Sequence, residues 1–165
     1  MAACETRVPL FDRNGRKMLR YRSEGEVHKD FHGLTCATLH YLIDNYGEAA
    51  MRQVVRNTAQ QVYRTMHEAL KKGDTAELEE YWSYYLDREC GKFSVEKLPD
   101  GVKLTVTDCP ALRHLVKLEQ QPDHLMCEAT KIFNEALAEG SPYTAELKST
   151  GTFSCEQIFR KGAVK

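Results

Sequence analysis

The sequence predicts an α+β domain in which an antiparallel sheet of two hairpins packs against about five helices, in the order αααββααββ. Three observations carry this prediction. Apolar residues recur at spacings of three and four from about residue 26 to residue 89, the period of a helix with one buried face. The period then drops to two between Lys92 and Thr107 and again near the C-terminus, as in strands with one face covered. Between those stretches lie two helical segments opening at Pro110 and Pro122, and no strand-helix-strand repeat calls for a parallel sheet.

The chain opens with LFDRNGRKMLRY, where Asn14-Gly15 is a turn signal between two short apolar pieces, so residues 1–25 read as an N-terminal arm or hairpin. Glu26 to about Asn45 follows as a first helix, with Leu34, Ala37 and Tyr41 at helical spacing. Glu48 to Lys72 is the clearest helix, its stripe running Met51, Val54, Val55, Thr58, Val62, Met66, Ala69 and Leu70. Gly73 ends it. Asp74-Thr75-Ala76-Glu77 has the form of a capping box for a third helix through about Glu89, whose inner stripe is Leu78, Trp82, Tyr85 and Leu86.

Lys92–Leu98 and Val102–Thr107 flank Pro99-Asp100-Gly101 as the first hairpin, with Val102, Leu104 and Val106 on one face. Helices over about Pro110–Glu119 and Pro122–Glu139 come next, separated by Gln120-Gln121. Tyr143–Lys148 and Thr152–Arg160, joined at Ser149-Thr150-Gly151, close the chain as the second hairpin. All 165 residues fit one domain with its own core.

Composition narrows the function classes. A net charge of -1 gives no field that would gather nucleic acid or an anionic membrane. No apolar run approaches the ~20 residues of a membrane span, and MAACETRVPLF lacks the pattern of an export signal, so the expected setting is the cytoplasm with reduced thiols. The expected partner is a small molecule, and a homo-oligomer is left open. Six cysteines, Cys4, Cys36, Cys90, Cys109, Cys127 and Cys155, include no CxxC pair, which weighs against zinc-ribbon and thioredoxin readings. Phosphate-binding glycine loops, GxSxG and EF-hand patterns are also missing.

In VTDCPALRHL, Cys109 stands where a strand pattern stops and a helix begins at Pro110. A sulfur there faces unpaired backbone N–H groups and the positive end of the helix, which favours thiolate, so Cys109 is the candidate nucleophile. The bland alternative is a cysteine filling a core corner. His114 lies more than one turn further on and is placed in the pocket wall rather than as a base. Cys127 begins the fifth helix and Cys155 shares a strand face with Phe153, Gln157 and Phe159. If they point toward Cys109, the three could line one pocket, and as thiolates they could hold zinc or another soft metal.

His28, His32, Cys36 and His40 recur every four residues, one slowly drifting stripe if the helix is continuous. We take His32 and His40 as candidate general bases and Cys36 as pocket lining; a half-buried polar stripe packed on the sheet is the alternative. His124 and Glu128, four apart, offer a further acid-base pair, although acids near a helix start also serve the dipole alone. Tyr81, Tyr84 and Tyr85 beside Trp82 could stack a flat ligand or simply pack in the core.

NYGEAAMRQVV, TDCPA from Thr107 to Ala111, Cys127, and GTFSCEQIFRK from Gly151 to Lys161 together give the chain a recognisable look. Over roughly Gly33 to Lys161 it resembles the L-2-amino-thiazoline-4-carboxylic acid hydrolase-like family of small bacterial proteins. The resemblance implies hydrolysis of a carboxylated thiazoline or a related cyclic amidine or amide, with Cys109, Cys127 and Cys155 as the matching positions. The closing cysteine-containing strand is also similar to that of 4-vinyl-reductase-type domains, which implies a non-catalytic pocket for a small hydrophobic ligand. A thiol-based metal or redox protein is the third reading.

Overall fold

The computed structural model of the protein describes residues 30–117 and 124–162. The predicted arm over 1–25, His28 and the Gln120-Gln121 separator lie outside the described residues.

The first helix, α1, spans Asp30–Tyr46 and turns at Gly47 into α2, Glu48–Asn57. The long second helix expected from the sequence is not continuous. A π-helical turn, Thr58–Val62, interrupts it before α3, Arg64–Lys71. The Tyr63 N–H donates to the carbonyl of Thr58, five residues back, so one extra residue fits into the turn. The apolar stripe is rotated by that insertion: Ala59, Met66 and Leu70 are buried, whereas Val62, expected inside, is exposed.

Gly73 ends α3 as predicted, at φ 77, with its N–H on the carbonyl of Leu70 and the Asp74 N–H on that of Ala69. Helix α4 runs Ala76–Arg88. Its start is not the expected capping box. Asp74 accepts the N–H of Ala76, while the Thr75 hydroxyl donates to Glu79 instead of the side chain capping the helix. The α4 C-terminus closes in the same way as α3, the N–H groups of Cys90 and Gly91 reaching the carbonyls of Asp87 and Leu86, with Cys90 taking the left-handed conformation at φ 58.

Strands β1, Lys92–Leu98, and β2, Gly101–Asp108, form the first hairpin, and β3, Tyr143–Gly151, and β4, Ser154–Lys161, form the second. All pairs are antiparallel and the sheet order is β1-β2-β4-β3, so the hairpins join through β2 and β4. The second turn falls at Thr152-Phe153, later than the predicted Ser149-Thr150-Gly151, because β3 continues to Gly151. Gly101 meets β4 so closely that a Cβ there would lie 1.9 Å from the carbonyl oxygen of Phe159.

Helices α5, Pro110–Lys117, and α6, His124–Ala138, complete the α+β architecture, making six α-helices among the described residues. The main core lies between helices and one face of the sheet. Val102, Leu104 and Val106 alternate inward along β2, as their spacing predicts, and meet Leu70, Trp82, Leu137 and Phe159. Arg52 of α2 reaches Glu128 of α6, and Arg56 reaches Glu139 just beyond it, so the two helices are also tied at their surface. No helix among the described residues is long and apolar enough to cross a membrane.

Candidate functional site

The helices do not close completely onto the sheet. A cavity of about 920 Å³ remains, walled by α1, α2, α4 and α6 and floored by β2, β3 and β4. Its lining is mainly aliphatic and aromatic. Tyr63, brought there after the π turn, meets the rings of Tyr81 and Phe133 edge-on at centroid distances of 5.3 and 5.0 Å. Phe31, Leu34 and Val54 also line the space while remaining exposed to solvent, so they form an apolar rim.

Cys109, Cys127 and Cys155 all line this cavity, which brings together the three sulfur positions singled out in the sequence. The backbone at Cys109 explains part of the convergence: its N–H donates to the carbonyl of Phe153 at 2.7 Å, pinning the start of α5 to the turn before β4. Cys155 sits opposite Val106 in the sheet, three residues before Cys109. Their chemistry differs from the expectation. Burial pushes the Cys109 thiol up, outweighing the N–H groups of Leu112 and Ala111 that act downward as a helix start should. Burial likewise pushes Cys155 up to about 11, the other two sulfurs adding to it and a hydrogen bond from Gln157 opposing it. Both are neutral thiols at pH 7, so the predicted thiolate nucleophile is corrected to a protonated one.

Among the described residues no group of three or more His, Cys, Asp or Glu side chains is arranged to hold an ion, so Cys109, Cys127 and Cys155 share the cavity without forming the zinc site considered from the sequence. Cys36, Cys109, Cys127 and Cys155 carry free thiols.

The histidine stripe divides. Each step of four residues advances about 40° beyond a full turn, so a stripe that starts inside drifts out. His32 is buried in the cavity wall. Cys36 is buried too, but packs on Leu112 and Leu115 and is not part of the lining, and His40 is exposed outside the cavity. The inward positions pass to Leu39. His114 is half-buried, its ring centroid 6.3 Å from that of His32, and it also lies outside the lining. His124 is at an exposed part of the rim, and Glu128 bonds Arg52 rather than completing a pair with it.

Two polar groupings in the walls were not singled out from the sequence. His32 Nε2 lies 2.7 Å from Glu89 Oε2, and Glu89 is only 5% exposed. Glu89 stands at the C-terminal end of α4, where the helix dipole disfavours a carboxylate, and no packing rule requires it there. Its signal was the stripe Trp82, Leu86, Glu89 at helical spacing, all three in the lining. The second grouping is Asn134 of α6, whose Nδ2 donates to Gln157 Oε1 of β4 at 2.7 Å, with Gln157 Nε2 in turn 3.9 Å from Cys155 Sγ. Cys127, Thr130 and Asn134 share one helix face by their spacing, and Gln157 shares a strand face with Cys155, so both amides were legible as polar residues on inward faces.

Comparison with family models, with curated proteins and with solved structures finds no match to this chain.

Proposed function

We propose that the protein is a binding domain for a small, largely hydrophobic molecule held between the helices and the sheet. The observation that carries this reading is the cavity itself. Its volume of about 920 Å³ falls within the range of about 300–1,000 Å³ usual for ligand pockets, and apolar walls with a few convergent polar groups are the usual composition. A cavity of this size is not a packing defect of a kind a small core tolerates at low cost. The cytoplasm is the proposed setting, where thiols lining such a pocket stay reduced.

The test uses 1-aminoanthracene, a flat apolar probe whose emission rises on leaving water. Saturable binding by the purified protein is expected, accompanied by quenching of Trp82, the chain's single tryptophan and part of the cavity wall. Ala129 lines the cavity, and Ala129→Phe intrudes into it; affinity should fall about tenfold or more with the far-ultraviolet circular dichroism unchanged. No saturable binding by the wild-type protein would overturn the reading.

A second reading is favoured by one specific observation, the buried His32–Glu89 bond in the wall that also holds Cys109. It is cleavage of a carboxylated thiazoline or related cyclic amidine or amide, with Cys109 as nucleophile and His32 as the base oriented by Glu89. The raised Cys109 thiol counts against it near neutrality, since proton removal must then accompany attack. Alkylation of Cys109 should abolish turnover of 2-amino-thiazoline-4-carboxylate; absence of any turnover before alkylation ends this reading.

A further inference from the structure

The Asn134 and Gln157 side chains are 3% and 8% exposed, and both face the cavity. Gln157 is flanked across the sheet by Leu104 and Leu147, both of which line the same space, and Asn134 is preceded on α6 by the lining residue Phe133. Two amides set in such an apolar frame are costly unless their hydrogen-bonding groups are used. They use one donor and one acceptor on each other, at 2.7 Å. That leaves the carbonyl oxygen of one amide, and on the other an NH₂ group whose remaining partner is the sulfur of Cys155 at 3.9 Å. An amide nitrogen carries two hydrogens, so the pair keeps one donor and one acceptor for a further partner. The result does not depend on which way the two amides are turned: if both are reversed, one N–H still meets one carbonyl, and one of each is left over.

We infer that the Asn134–Gln157 pair reads the polar edge of the ligand, and that this ligand is a flat apolar body bearing an N–H beside a carbonyl, as in a lactam or cyclic amide. The inference rests on the binding reading and names its ligand class. The ligand N–H donates to the spare amide carbonyl and the ligand carbonyl accepts from the spare amide N–H, forming two parallel hydrogen bonds. Around them the rings of Tyr63, Tyr81 and Phe133 and the leucines of the floor cover the apolar body.

Three probes of nearly equal size test this by calorimetry or by quenching of Trp82. 2-Quinolone carries the lactam edge, N-methyl-2-quinolone keeps the carbonyl but lacks the donor, and naphthalene has neither. The wild-type protein should bind 2-quinolone about tenfold or more tighter than either of the others, the yield of two neutral hydrogen bonds in an apolar site. In the double variant Asn134→Leu/Gln157→Met that preference should shrink to within about threefold while naphthalene still binds, because two apolar groups of similar shape replace a mutually satisfied pair. Gln157→Glu, which turns the spare donor into an acceptor, provides a second variant with the same expected loss should the double variant not fold. Equal affinities for the three probes in the wild-type protein would overturn the inference and leave the binding reading standing. Binding of none of them, together with failure to bind 1-aminoanthracene, would overturn both.

Discussion

Cys155 shows how one buried atom ties the site to stability. The folded protein holds its proton up to about pH 11, whereas an unfolded chain releases it near pH 9. Between those values the folded state binds more protons than the unfolded one, so stability falls as pH rises through the window, and below about pH 9 the effect is absent. Urea midpoints at pH 8.5 and 10.5 should therefore drop more steeply for the wild-type protein than for Cys155→Ala; parallel slopes would show that the buried thiol does not act in this way. The same protonation implies slow alkylation of Cys109 and Cys155 at pH 7.5, measurable by peptide mass spectrometry against an exposed thiol standard. At this scale the sequence named three sulfurs that line the cavity but not the protonation of Cys109 and Cys155. A helix start lowers a thiol and burial raises it, and only the depth of Cys109 beneath the helices decides which prevails.

The elements were legible where one face is plainly apolar and less so where an insertion shifts the face. Both hairpins follow from period-two alternation, and β2 buries the three residues its pattern indicates. The break in the second helix was not readable, because VRNTAQQV contains neither proline nor glycine and each residue is an acceptable helix former. Its π turn serves tertiary demands: it lets Ala59 and Met66 reach the core while Tyr63 turns to the cavity. The pairing of β2 with β4 was likewise beyond local pattern, since it joins segments about fifty residues apart. Gly101 carries that pairing. Gly101→Ala would drive a methyl group into the Phe159 carbonyl, and we expect a loss of about 1–3 kcal/mol in urea unfolding, with the first hairpin turn, Pro99-Asp100, otherwise intact. A neutral substitution would mean that the two strands separate at little cost.

The whole molecule combines a rigid floor with a segmented roof. The floor is a continuous hydrogen-bonded sheet; the roof is a set of helices that meet it mainly through α4 and α6. A ligand held between them binds only the folded state, so at a hundred times its dissociation constant it should add about 2.7 kcal/mol to stability, visible as a higher melting temperature in a lactam titration. His32 and the three cysteines were raised from the sequence as possible neighbours in one pocket, but neither their convergence nor the open volume could be read there, because a pattern of apolar residues specifies which faces turn inward and not whether the volume between them is filled.

Helix α1 packs chiefly on α2, α5 and α6, and its His32 is bonded to the end of α4, while exposed Phe31 and Leu34 stand at the cavity rim. That arrangement makes α1 the natural doorway: a guest can enter when this one segment lifts, without breaking a strand pair. Occupancy would then be recorded as slower amide deuteration along α1, with the strands beneath keeping the rates of the empty protein.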